Sequence, residues 1–272
     1  MRLESVSPRK FRKDFSTIQA RTVEAIRACI RRPTPEAIHE ARIAIRKLTT
    51  AVSLMPREFR EDGKMVRTGK ALRVLYTDCA KIRDIDAMTN ALSNNVALGD
   101  LKSVMADLRE RRTALASKIG RSGNEVKRLT LRRPTDDTRR RLRKRLNKIL
   151  ARRADQACDL YWVAASSEEN LAELHQLRKE CRCIMYLLDF ANDDARVKSA
   201  RLELEDARDK LGSIREDDVL LDFLRDTRVS APVLKLISAV SAGRLTKYRK
   251  FFAGQTARAL EPKLLESIQG LT

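Results

Sequence analysis

Apolar residues recur at three- and four-residue intervals along most of this chain and strand-type runs are scarce, so the elements it predicts are helices. Phe11, Phe15, Ile18, Val23 and Ile26 form an approximate stripe that predicts a first helix over residues 8–30. Thr34 as N-cap and Pro35 at the first helical position predict a second over 35–55, which Pro56 stops. A third is expected over 61–83, with Leu72, Leu75 and Cys79 toward the core and Gly63 and Gly69 as weak points. Asp84 reads as the N-cap of a shorter helix over 85–92, and a helix over 100–119 closes the first half.

Residues 120–123, Gly-Arg-Ser-Gly, form the most linker-like stretch. Thr135, followed by Asp136 and Asp137, marks a helix start with acids near the positive end of the dipole, and that helix reaches about residue 163. Ser166 and Glu169 have capping-box spacing for the next helix. Helices over 194–211, 218–226, 232–252 and 255–268 complete the pattern. The expected fold is all-α, a helical bundle in one domain over 1–272, built from a first helical repeat over 8–120 and a second over 121–272.

Composition supports this reading. Only 9 Gly and 7 Pro occur in 272 residues, which leaves few breaks between long helices. At 43% hydrophobic the chain can build a core. Lys and Arg number 57 against 37 Asp and Glu, a formal charge of +20, so the expected partner is a polyanion: nucleic acid, an anionic membrane surface or a phosphate polymer. No apolar stretch approaches membrane-spanning length, and Met1-Arg-Leu-Glu-Ser lacks the apolar core of a signal peptide. A soluble cytoplasmic protein without a membrane partner is expected. The five cysteines, Cys29, Cys79, Cys158, Cys181 and Cys183, are odd in number and contain no C-x-x-C pair. They read as buried reduced thiols, not as a disulfide framework or a zinc site.

The two histidines, His39 and His175, sharpen the picture. Each opens the same pattern, H-x-x-R-x-x-x-R, through Arg42 and Arg46 in one case and Arg178 and Arg182 in the other. On a helix such positions fall within roughly 60° of one another, so each motif makes a row of imidazole and two guanidiniums. Lys47 and Lys179 adjoin the rows. A second match follows in the same order, Ile82-Arg83-Asp84-Ile85-Asp86 against Ile214-Arg215-Glu216-Asp217-Asp218. The histidines lie 136 residues apart and the arginines of the second match 132, so a single small indel separates the copies. The chain reads as a duplicated helical unit.

These motifs resemble the conserved histidine α-helical domain, the CHAD family, whose two repeats each carry H-x-x-R followed by a basic cluster. The resemblance runs from about Phe11 to Phe252 and includes both histidine helices and both Arg-(Asp/Glu)-x-Asp turns. It implies a helical bundle around a central basic cavity that binds inorganic polyphosphate, and a member of the stand-alone type, some of which associate with polyphosphate granules. The family often continues the basic row to the positions of Thr49 and Met185, and often has a basic residue at Cys183, while Tyr186 fits its pattern. The His175 row is thus the thinner of the two.

Arginine suits such a ligand because its planar fork takes two phosphate oxygens at once and stays charged in any surroundings. The expected polyphosphate-binding residues are His39, Arg42, Arg46, Lys47, His175, Arg178, Lys179 and Arg182, with Lys70, Arg73, Arg145, Lys148, Arg152 and Lys247 as secondary candidates. Residues 121–153 alone hold 14 basic and 3 acidic side chains, too many for one helix to aim inward, so part of that run is solvated face. A histidine occurring once per helix is ordinarily a satisfied half-buried residue; repetition beside arginines favours a ligand role. No Cys, Asp or Glu stands at metal-ligand spacing, so neither a metal nor another cofactor is expected. Asp84, Asp86, Glu216 and Asp218 read as caps and ion-pair partners. The alternative is a basic helical protein that binds nucleic acid through non-specific electrostatics, against which stand a 4% aromatic content and a single Trp162. No P-loop and no nucleophile–base pair is evident, so catalysis is not expected.

Overall fold

In a computed structural model the chain divides into two compact units, Arg9–Asp136 and one built on Asp137–Thr272. The structure describes residues 7–95, 102–124, 126, 139–191, 195–226, 231–256 and 263–271, and these hold ten helices and no strand. The all-α expectation is met.

The first unit contains α1 (Pro8–Arg31), α2 (Pro35–Ser53), α3 (Arg57–Arg60), α4 (Gly63–Asn95) and α5 (Lys102–Asn124). In α1 the inward stripe is Phe11, Phe15, Thr22, Ile26 and Cys29, so Thr22 and Cys29 take core positions where the pattern suggested Ile18 and Val23, both half-buried. Thr22 can be buried because its hydroxyl donates to Ile18 O at 2.7 Å and lies 3.2 Å from Ala44 O on α2. Cys29 meets Cys79 of α4, sulfur to sulfur, at 4.0 Å, both thiols free and buried. Cys181 is buried as well, whereas Cys158 and Cys183 are half-buried. The start of α2 is as expected, Thr34 Oγ1 accepting from Ala37 N at 3.2 Å with Pro35 behind it.

Two breaks expected in this unit do not exist. Asp84 caps nothing, because α4 runs unbroken from Gly63 to Asn95; its cap is Asp62, whose Oδ1 accepts from Lys64 N and Met65 N. Nor is the 120–123 stretch a linker, since α5 continues through it to Asn124. Gly123 is there for close approach: a Cβ on it would stand 2.5 Å from Ile30 Cγ1 of α1. Gly120 has nothing within 4 Å of such an atom. Gly123→Ala should therefore cost about 1–3 kcal/mol in urea unfolding, while Gly120→Ala should add up to about 1 kcal/mol through helix propensity.

The second unit contains α6 (Arg139–Ser166), α7 (Leu171–Leu188), α8 (Ala195–Arg225), α9 (Ala231–Thr256) and α10 (Lys263–Gln269). Successive helices from α6 to α9 pack on one another, and α10 lies on α8. Tyr161 of α6 and Phe252 of α9 stack edge to face at 5.3 Å, and the Tyr248 hydroxyl donates to Ala164 O at 2.7 Å, tying α9 to the end of α6. The helix expected to begin at Asp218 is instead the last part of α8, and residues 255–256 finish α9. No capping box forms at α7: Ser166 ends α6 and donates to Val163 O, and Asn170 occupies the cap position without a side-chain cap bond. The expected starts at Thr135–Asp137 and Asp194 lie outside the described residues.

Candidate functional site

Burial of Ile38, Ala41, Ile45, Leu48 and Ala51 fixes the rotation of α2 and lays His39, Arg42 and Arg46 along its flank. His39 is exposed and the two arginines are half-buried. The Cζ atoms of Arg42 and Arg46 each stand 5.5 Å from the centre of the Tyr76 ring of α4, within cation–π range. Their Nε atoms are buried with no hydrogen-bond partner among the described residues, and no carboxylate there forms an ion pair with either guanidinium. Partial desolvation lowers the His39 pKa below the ordinary imidazole value, and the charge of Arg83 on α4 adds to it more than Arg42 or Arg46 does, against an opposing effect of Glu40.

In the second unit Leu174, Leu177, Cys181, Ile184 and Leu188 face the core, and His175, Arg178 and Arg182 are half-buried beside them. Gly212 of α8 makes room for the Arg178 guanidinium: a Cβ there would lie 2.9 Å from its Nη2 and 3.4 Å from its Cζ. Burial, then the charges of Lys179, Arg215, Arg178 and Arg182, push the His175 pKa down to about 4. Its Nδ1 is buried without a hydrogen-bond partner among the described residues. Acids bear on this row as well. Arg208, bonded to Asp209 at 2.8 Å, holds that carboxylate below its ordinary range, with Arg178 contributing. Glu180, almost fully buried, receives Arg153 Nη1 at 2.8 Å on both oxygens.

The structure thus groups His39 with Arg42 and Arg46, and His175 with Arg178, Arg182 and Lys179, and adds Arg83 and Arg215. Both belong to the second repeated motif, whose repetition is the sequence signal that marks them. Among the secondary candidates, Lys70 and Arg73 are exposed on α4, Lys148 and Arg152 are exposed on the side of α6 away from its apolar stripe, and Arg145 and Lys47 are half-buried. Lys247 is held by Asp217 at 2.7 Å, so an ion pair already engages it.

Asp86 and Asp218 of the second motif are ion-pair partners, as expected, and lie within helices and not at their caps. Arg112 Nε of α5 donates to Asp86 Oδ1 at 2.6 Å, and its Nη2 donates to Pro33 O at 2.9 Å. Arg244 of α9 pairs with Asp218 at 3.2 Å, and both pairs span 26 residues. Asp86 and Asp218 each sit three residues past the arginine that faces the histidine. Each pair holds a neighbouring helix against the helix that carries Arg83 or Arg215.

A family model for the CHAD domain matches residues 10–225, most of the chain. The chain belongs to the CHAD family. Among solved structures it resembles the CHAD domain from the plant Ricinus communis, with a TM-score of 0.56 at 15% identity, covering 99% of this chain and 92% of that one. It is similar to PptA from Streptomyces chartreusis at the same TM-score and identity, covering 93% and 99%. These likenesses establish the CHAD fold. No curated protein matches the sequence. No described helix is long and apolar enough to cross a membrane.

Proposed function

We propose that this CHAD protein binds inorganic polyphosphate without catalysis, holding the polyanion along the basic rows of α2 and α7. The observation that carries the reading is the pair Arg42 and Arg46, held one turn apart beside His39 with no ion-paired carboxylate among the described residues. A polymer with charge on every repeat unit can engage successive guanidiniums, and the CHAD family includes polyphosphate-binding members. Apart from the two imidazoles, the row side chains are cations and hydrogen-bond donors with no carboxylate base among them, which favours binding over chemistry. Association with polyphosphate granules follows from the same reading.

One observation favours a second reading. Arg140, Arg141, Arg143, Lys144, Lys148 and Arg152 are exposed on α6, and no acid occurs between residues 139 and 154, a surface that would attract nucleic acid without sequence preference. Competition separates the two. Labelled long-chain polyphosphate is bound at physiological salt, then challenged with duplex DNA, RNA and ATP at matched phosphate. Retention of polyphosphate supports the proposal; equal displacement by DNA leaves generic electrostatics.

The same assay at two pH values tests the histidines. His39 has a lowered pKa and His175 one of about 4, so His175 is neutral at pH 7 in the free protein, beside Lys179, Arg215, Arg178 and Arg182. A bound polyanion favours the imidazolium, so binding takes up protons and tightens as pH falls from 7.5 to 5.5. Without ligand the sign reverses for the fold: the depressed pKa of His175 means stability is lost as pH falls from 6.5 toward about 4. The double variant His39→Gln, His175→Gln should bind with a flat pH profile. A wild-type profile equally flat removes the histidines from the site.

A further inference from the structure

Tyr76 contacts both arginines of the His39 row, and nothing in the sequence motifs points to it. Its ring bridges Arg42 and Arg46, at 5.5 Å from each Cζ. An aromatic face holds a guanidinium without neutralising it, because the attraction comes from the ring quadrupole and leaves the N–H fork available to a ligand. In the second unit the matching sequence position holds a different residue. At the 132-residue spacing that aligns Arg83 with Arg215, the counterpart of Tyr76 is Arg208, which is bonded to Glu205 at 3.1 Å and to Asp209 at 2.8 Å. There Asp209 feels the charge of Arg178.

We propose that Tyr76 is a positioning residue that presents Arg42 and Arg46 as a paired, uncompensated anion clamp in the first unit. The inference rests on the anion-binding reading above and deepens it. A free arginine loses side-chain entropy when it grips a phosphate; Arg42 and Arg46 have lost part of it already against the ring. The clamp suits a phosphate chain long enough to take both forks, so its benefit is greater for polyphosphate than for orthophosphate.

The test uses full-length protein, medium-chain polyphosphate and orthophosphate, with Tyr76→Phe, Tyr76→Leu and Arg42→Ala. Tyr76→Leu should weaken polyphosphate binding by about five- to thirtyfold, the effect of losing two cation–π contacts, and Tyr76→Phe should stay within about twofold of wild type because the ring is kept. The arginine Hε resonances carry an independent signature: ring-current shifts of Arg42 and Arg46 present in wild type and Tyr76→Phe and absent in Tyr76→Leu. Asp209→Asn should tighten binding by about twofold, as expected for removing an exposed opposing charge. If wild type binds, Arg42→Ala weakens it and Tyr76→Leu does not, the positioning role is overturned while the anion site stands. Equal weakening in Tyr76→Phe and Tyr76→Leu overturns it too, since the ring face is then not the cause. Failure of Arg42→Ala to weaken binding overturns the anion-binding reading itself.

Discussion

Replacing Arg42 and Arg46 together with Ala weakens long-chain polyphosphate binding by about a thousandfold at physiological salt. Each charge-assisted fork is worth about 2 kcal/mol, and two lost forks amount to about three decades in affinity. The expectation is this large because the pair stands half-buried against Tyr76 with no ion-paired carboxylate among the described residues, so its charge is available to the ligand. Arg109→Ala with Lys118→Ala removes the same formal charge from exposed positions of α5 in the same unit. That control should lose less than about fivefold, through weaker long-range attraction alone. Isothermal titration of both double variants decides between a built site and a charged surface, and equal losses would mean a surface.

The second large effect concerns stability. Arg112→Ala should cost about 3–5 kcal/mol in urea unfolding, because it strands the Asp86 carboxylate, whose side chain is only 7% exposed. The loss is a large share of the about 5–15 kcal/mol that holds a typical domain together. It also removes the bond to Pro33 O, which fastens α5 to the turn between α1 and α2. Adding Asp86→Asn should recover part of the loss, since the buried charge is then gone, and a double-mutant cycle measures that coupling. Arg111→Ala, one residue away and also ion-paired, to Asp107 at 2.9 Å, should cost less than about 1 kcal/mol because the arginine is 62% exposed. A loss for Arg112→Ala no larger than that of Arg111→Ala would show that the pair does not anchor α5.

The polar anchors also explain why two expected helix starts were wrong. Asp84 and Asp218 carry the local chemistry of an N-cap, and nothing near them in sequence says otherwise. Asp218 is engaged by a partner 26 residues away, Arg244, as Asp86, two residues past Asp84, is by Arg112, and the backbone continues as helix through all three positions. Gly123 misled for a related reason. Its missing side chain reads locally as freedom, while its use is contact with Ile30, on a helix that ends about ninety residues earlier. Short-range rules score a residue by its neighbours in the chain, and these residues are set by neighbours in space.

The chain by itself determined the helical class, the cap at Thr34, the faces of α2 and α7, and the two rows of His and Arg, because a 3.6-residue period and a repeated motif are local properties. It also showed Arg83 and Arg215 as equivalent positions, without saying what they face. The tertiary structure alone decided that Arg83 bears on His39 and Arg215 on His175, and that Gly212 admits Arg178. It alone set Tyr76 under Arg42 and Arg46. The physical reason is that these contacts join different helices, and their strength depends on approach distances and on the charge left uncompensated there. Packing sets both quantities, and no spacing along one helix contains them.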